Sequence, residues 1–502
     1  MWPGGAAGQG GVANHAGTAG EGGTGAESGA AGGPALPPDS TGCPFDVPEP
    51  YRVGLSCGYL QVPASRAAGA TGAETKTLLY ARYVGEGLES QPTVVRLEGG
   101  PGLSIEERVT SGDALAWSTV LARNLLLLEQ RGSQHSGFLQ FDQGAVVTDE
   151  GAVAPGAYNS LEMAGDVVDL VAGLGLAPAD LWTHSHGTLV ALGVMEQAPD
   201  SLHAVVREAP LFREKRQEFE RLALDAAILA RNTEWFDEAC ASHPSCTPAP
   251  TGFGGEIETM VDRLETSAVA LPNGRTFVDA TDYAQRLLGA LYVPRLAALL
   301  LGLTRASNQG GADAWWARLE PEAALELDRL LSGSVEDDRA MCEATRLVVG
   351  CFDEYQHWTL PAMDQACSDA PPSPLNLLLT PETLAWLEGF CYELRQPPVD
   401  TGYPSDTFTT PVSSSVPTLH LAGALDPVAP VDWVRDATAM SHFEQGQLVE
   451  CPCCGHQIVD AASECLLSVI RSFLNDPTAP PQSTCLQSYC TELEQDVAET
   501  LW

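Results

Sequence analysis

Thr183-His184-Ser185-His186-Gly187 follows the apolar stretch Asp180-Leu181-Trp182 and precedes Leu189, Ala191, Leu192 and Met195, which are spaced for a helix. A serine at such a strand-to-helix junction sits on a sharp turn with its hydroxyl exposed above a sheet. Upstream, residues 77–83, 92–97 and 124–128 read as strands. The last is a continuous apolar run, suited to a strand covered on both faces. Residues 166–174 read as a helix carrying Val167, Val168, Leu170 and Val171, and Ala204-Val205-Val206 as the next strand. After a long gap the pattern resumes with a strand over 416–421 and a helix over 466–474. Strands alternating with helices call for an α/β fold, a mostly parallel sheet covered on both faces.

The 502 residues leave room for a large core, or for one catalytic domain with a sizeable insertion. A hydrophobic content of 44% excludes wholesale disorder. With 26 Lys and Arg against 66 Asp and Glu, the net charge is −40, spread rather than gathered in a block. Nucleic acid is therefore excluded as a partner, because phosphate binding needs a basic stripe. The excess reads as a well-solvated acidic surface, which also attracts cationic ligands. Fourteen cysteines point to export and several disulfides, hence a secreted or cell-envelope location. No apolar leader follows Met1-Trp2-Pro3-Gly4, so a signal peptide is expected to lie outside these residues. No apolar run is long enough to span a membrane.

Residues 1–42 are rich in Gly and Ala and read as a flexible linker. Residues 43–210 form the first part of the expected core. Between 211 and 405 strand signals fade and helical ones dominate (221–230, 283–303, 323–331), which reads as a helical cap inserted over the active end of the sheet. Residues 406–502 complete the core.

Two later segments complete a chemistry around Ser185: Leu421-Ala422-Gly423-Ala424-Leu425-Asp426, an acid after an apolar run, and Cys454-Gly455-His456. Serine, then acid, then histidine is the chain order of an α/β-hydrolase triad and differs from the two other familiar serine-peptidase orders. Ser185 is the expected nucleophile, His456 the general acid and base, and Asp426 the group that orients the imidazole. The backbone N–H of His186 and that of Gly100, in the loop Gly99-Gly100-Pro101-Gly102, are the expected oxyanion donors. His184 and His186 flank the nucleophile and read as pocket-lining or packing residues. Thr183 stands where the turn usually has glycine, so strain or a compensating small neighbour is expected there. Cys451-Pro452-Cys453-Cys454-Gly455-His456 offers zinc-type ligands without the usual paired spacing, so disulfides that stiffen the His456 loop are expected and neither a metal nor a cofactor is.

The Gly-Gly-Pro-Gly loop, the run Glu129-Gln130-Arg131-Gly132-Ser133 and then the Ser185 turn resemble the prolyl iminopeptidase and tripeptidyl aminopeptidase family of α/β-hydrolases. Residues 415–430, ending Asp426-Pro427-Val428-Ala429-Pro430, together with Gly455-His456 and the Cys465 and Cys485 pair, resemble its tripeptidyl-aminopeptidase-like branch. The likeness covers roughly residues 43 to 490. It implies an exopeptidase that works through an acyl-enzyme on peptides with a free N-terminal amine, held by carboxylates near the cap. Asp353, Glu354 and Glu208 are the expected anchors. Cys43–Cys57 and Cys465–Cys485 are the expected disulfides, with the other pairings left open. Glu129 stands where the family usually has Asp, and Glu98 where His is common. Two other functions fit the same residues: an esterase or amidase on the same triad, and an inactive hydrolase fold that binds a ligand, which Thr183 favours.

Overall fold

The computed structural model describes residues 42–66, 74–85, 87–88, 91–142, 144–215, 217–244, 246–332, 341–355, 359–395, 403–459 and 463–501. The expected linker therefore lies, except for Gly42, outside the described residues.

Eight strands build the central sheet: β1 (Leu55–Pro63), β2 (Thr75–Tyr83), β3 (Thr93–Leu97), β4 (Asn124–Leu128), β5 (Ala179–His184), β6 (Leu202–Glu208), β7 (Thr418–Gly423) and β8 (Gly446–Cys451). Their order across the sheet is β1-β2-β4-β3-β5-β6-β7-β8. β2 runs antiparallel to β1 and β4, and every other neighbouring pair is parallel. This is the α/β-hydrolase fold. β3, β4 and β5 are buried along their whole length; β4 accordingly reads as a nearly unbroken apolar run, while β3 and β5 also bury Arg96 and Asp180.

Helices α1 (Ser160–Gly173), α2 (Gly187–Gln197) and α10 (Glu464–Asn475, numbered with the helices below) accompany the sheet. The Asn159 side chain caps α1 by accepting from the N–H groups of Leu161 and Glu162. α1 and α2 pack so closely that a Cβ on Gly193 would lie 2.6 Å from that of Ala164.

Between β6 and β7 the chain is mostly helical: α3 (Gln217–Ser242), α4 (Gly252–Leu264), α5 (Ala280–Ala290), α6 (Pro294–Asn308), α7 (Pro321–Ser332), α8 (Glu343–Asp353) and α9 (Pro381–Leu394). The helical stretch expected over 283–303 is two helices. Pro294 lacks an N–H and holds Val293 extended (φ −131°, ψ 117°), so α5 ends before it and α6 starts on it. Phe236, Ile257, Met260, Leu287 and Leu300 bury one another in a core separate from the sheet. After α10, helix α11 (Leu486–Leu501) packs on α3 and α6 and sends Val497 and Leu501 into that same core.

Six disulfides are formed among the described residues. Cys43–Cys57 and Cys465–Cys485 are the expected ones; the others are Cys240–Cys246, Cys351–Cys391, Cys451–Cys454 and Cys453–Cys490. Cys342 and Cys367 are free thiols. No described helix is long and apolar enough to cross a membrane.

Candidate active site

Ser185 lies between the end of β5 and the start of α2 with φ 50°, the left-handed backbone that a tight turn demands. Its N–H donates to the Glu208 carbonyl at 2.9 Å, and its own carbonyl accepts from Thr188 N at 2.8 Å. Thr183 takes no part in that strain. It stays in register between Leu97 and Arg207, and its hydroxyl donates to the Val206 carbonyl at 3.2 Å. The room the turn needs comes from two glycines: a Cβ on Gly99 would lie 2.8 Å from that of Ser185, and one on Gly187 would lie 2.8 Å from the Glu98 carbonyl oxygen.

His456 Nε2 lies 2.9 Å from Ser185 Oγ, and its Nδ1 lies 3.0 and 2.9 Å from the two oxygens of Asp426. A carboxylate only accepts, so Nδ1 carries the proton and Nε2 is left to accept from the serine hydroxyl. Asp426 is itself fixed, its Oδ1 accepting from Val428 N at 2.7 Å and Ala429 N at 2.8 Å. The His456 loop is bound on two sides. Cys451–Cys454 and Cys453–Cys490 hold its start. Opposite, Tyr292, in the turn between α5 and α6, sets its ring edge-on to His456 at 4.8 Å, and its carbonyl accepts from Gln457 N at 3.1 Å. A Cβ at Gly455 would meet that carbonyl oxygen at 2.5 Å, so only glycine fits there. The sulfurs of Cys451, Cys453 and Cys490 lie within 4.8 Å of one another, but each is in a disulfide and offers no thiolate to a metal.

The N–H groups of His186 and Gly100 donate to no backbone carbonyl among the described residues, and both residues line the cavity next to Ser185. This arrangement can bind a developing oxyanion beside an activated hydroxyl.

Under the turn lies a buried charge cluster. Arg96 Nε donates to Glu98 at 3.0 Å and its Nη1 to Glu208 at 2.8 Å. Burial alone would raise the Glu98 carboxyl, yet Arg96 and Arg108 hold it down at about 2. Glu208 also accepts from Trp182 Nε1 at 3.0 Å and Val459 N at 2.9 Å. The expectation that Glu208 anchors a substrate amine does not fit this position: its carboxylate faces Arg96 inside the protein and does not line the cavity. Burial pushes the His184 imidazole down to about 4, keeping it neutral, and its Nε2–H donates to the His456 carbonyl at 3.2 Å.

The cavity holds about 630 Å³ and is lined by Ser185, His456, His184, His186, Asp353 and Glu354, among others. Asp353 accepts from Ser160 N, at the start of α1, at 3.0 and 3.2 Å, and from His186 Nε2 at 3.3 Å. The Glu129-to-Ser133 run is structural. Glu129 accepts from Ser104 Oγ at 2.7 Å and His135 N at 2.6 Å, while Arg131 grips Asp166 with Nε at 2.7 Å and Nη2 at 2.5 Å. Tyr292 and Arg346 line the cavity without having been singled out from sequence; the prolyl break after Val293 was the one local signal that the chain turns near Tyr292.

Residues 382–485 match the family described as TAP-like protein, Abhydrolase_4. A search of curated proteins finds no match. Among solved structures, an esterase from Thermogutta terrifontis aligns with 15% identity and a TM-score of 0.37, covering 84% of this chain and 100% of that one. An epoxide hydrolase from Vigna radiata aligns with 14% identity and a TM-score of 0.37, covering 84% and 98%. Epoxide hydrolase A from Mycobacterium thermoresistibile aligns with 16% identity and a TM-score of 0.37, covering 84% and 99%. The fold and the TAP-like segment support a serine hydrolase.

Proposed function

We propose that this chain is an exported serine aminopeptidase that cleaves peptides from the N-terminus through an acyl-enzyme. The observation that carries the reading is the continuous hydrogen-bonded line from Ser185 Oγ through His456 to Asp426, opening on a cavity with two carboxylates. His456 Nε2 takes the hydroxyl proton as Ser185 Oγ attacks the scissile carbonyl, and Asp426 stabilises the imidazolium. The His186 and Gly100 N–H groups hold the oxyanion. Collapse expels the leaving amine, which receives the proton from His456. Water, deprotonated by the same imidazole, then releases the acyl group and restores the serine. Asp353 and Glu354 meet the free amine of the substrate, and the Asp353 carboxylate is already tied to His186 beside the nucleophile. Six disulfides support an extracytoplasmic setting.

Labelling by a fluorophosphonate probe tests the nucleophile: the wild type labels and Ser185→Ala does not. Peptides with free and acetylated N-termini then separate the readings. Turnover of the free peptides alone supports the aminopeptidase, whereas turnover of simple esters with indifference to acetylation replaces it with an esterase. A folded wild type that takes no label defeats the enzyme reading altogether.

A further inference from the structure

Among the described residues, cations outnumber carboxylates on the cavity wall, although acids outnumber bases along the chain. Four described Lys and Arg side chains line it, against two described carboxylates. The cations are Arg108, Arg213, Lys215 and Arg346, drawn from a short helix, the segment after β6, and α8. Each has a carboxylate partner: Arg108 with Asp113 at 3.3 Å, Arg213 with Glu196 at 3.0 Å, Lys215 with Asp436 at 2.7 Å and Arg346 with Glu343 at 2.6 Å. None of those four carboxylates is among the described lining residues, and Arg346 reaches the wall with its Nε and Nη2 held by Glu343 at 2.8 and 2.6 Å. Arg213 is 2% exposed, and its Nε and Nη2 have no hydrogen-bond partner among the described residues.

Helix α8 orders this charge along one face. Arg346, Val349, Gly350 and Asp353 all line the cavity, at helical positions i, i+3, i+4 and i+7. A guanidinium therefore stands at one end of the face and a carboxylate at the other, about 10 Å apart along the helix axis at ~1.5 Å per residue. The placement runs against the helix macrodipole, which favours acids in the first turn and cations in the last. Glu343, one turn before Arg346 on the same helix, offsets part of that cost through their 2.6 Å ion pair.

We infer that the cavity takes short zwitterionic peptides of two or three residues, with the amine at the Asp353 end and a carboxylate at the Arg346 end. The inference rests on the aminopeptidase reading and extends it. An extended peptide advances ~3.3–3.6 Å per residue, so two or three residues span most of the separation between the charged ends. Val349 and Gly350 leave the wall between them without charge, against which a small side chain can lie. Arg213, Lys215 and Arg108 add to the field that draws the carboxylate in. The carboxylate is the free C-terminus of a short peptide or the side chain of an acidic residue at the same distance.

Four substrates with free amines separate these cases: Ala-Ala-Ala as free acid, its C-terminal amide, Ala-Ala-Asp-amide, and a longer alanine peptide. The free acid is expected to exceed its amide in kcat/KM by about tenfold to hundredfold, the worth of one hydrogen bond to a charged group. Arg346→Gln brings that ratio toward one through KM, and Arg346→Lys keeps part of it. The ratio within one enzyme preparation is insensitive to how much of a variant folds. Ala-Ala-Asp-amide matching the free acid assigns the carboxylate to an acidic side chain; Ala-Ala-Asp-amide behaving like the plain amide assigns it to the C-terminus. Equal kcat/KM for acid and amide in the wild type overturns this inference and leaves the aminopeptidase standing. No turnover of any of the four by enzyme that still labels at Ser185 overturns both.

Discussion

Gly99→Ala isolates the fit between the Gly99 loop and the nucleophile. The added methyl would lie 2.8 Å from Ser185 Cβ and 3.3 Å from both His184 Nδ1 and the His184 carbonyl oxygen. Ordinary contact between carbons begins near 3.4–3.5 Å, so Ser185 and the loop must separate by about 0.6 Å. His184 can yield little, because it is buried and its ring packs 5.1 Å from that of His456. The displacement falls on the 2.9 Å Ser185–His456 hydrogen bond and on the distance to Gly100 N. A 1 Å misplacement costs about 10² in rate, so a drop of about tenfold in kcat is expected, mirrored in the rate of fluorophosphonate labelling. Gly389→Ala is the matched control: nothing lies within 4 Å of its would-be Cβ on helix α9, so only helix propensity changes, by about 1 kcal/mol in favour of the fold. A Gly99→Ala enzyme that labels and turns over at the wild-type rate, at an unchanged melting temperature, would refute the claim that this glycine sets the position of the nucleophile.

Asp426→Asn leaves the shape of the site intact but turns the oxygen free of the Val428 and Ala429 N–H groups into an NH2 donor facing His456 Nδ1, which favours the wrong tautomer; kcat is expected to fall by about 10⁴, with the melting temperature close to wild type. Replacing Cys453 and Cys490 together by serine opens a cross-link of sequence separation 37, which costs about 3–4 kcal/mol in urea denaturation, and slows labelling because the His456 loop loses one of its ties. Stability should also fall on acidification. His184 is held at about 4 in the fold and returns to about 6.5 when unfolded, so the unfolded chain binds more protons between those values and ΔG of unfolding drops as pH falls from 6.5 to 4. This one group contributes about 3 kcal/mol across the window, seen as a urea midpoint at pH 4 below that at pH 7, and His184→Gln should flatten the dependence.

Ser185 and Asp426 could be read from the sequence because each follows a short apolar strand, and His456 because a Gly-His comes last in the chain order of the triad. Their order along the chain carried the fold with them. β4 was legible for the same local reason, its four consecutive leucines being buried, whereas β8, Gly-Gln-Leu-Val-Glu-Cys, carries no such run. Glu208 misled because its role depends on Arg96, which stands two strands away across β5 and reaches it only once the sheet has formed. A strand-end acid looks the same in sequence whether it faces a substrate or a buried guanidinium. Tyr292 was hidden for a related reason: it touches His456 from a turn 164 positions earlier, and the break at Pro294 marks the turn but not its partner. The disulfide Cys453–Cys490 likewise depends on where α11 returns, which is decided by packing on α3 and α6.

That return has a consequence for how the molecule can be taken apart or recombined. Helix α11 supplies Val497 and Leu501 to the core shared by α3 and α6, while Cys490 binds it to the loop that carries His456. The unit above the sheet is therefore discontinuous, closed by a segment that lies beyond the last strand. A chimera that exchanges only residues 211–405 would set a foreign helical surface against a native α11, leaving two mismatched apolar faces and a strained attachment at the imidazole. An exchange that carries residues 486–501 along with the helices keeps the interface whole. Recombination boundaries for this protein follow the packing of α11, not the order of the chain.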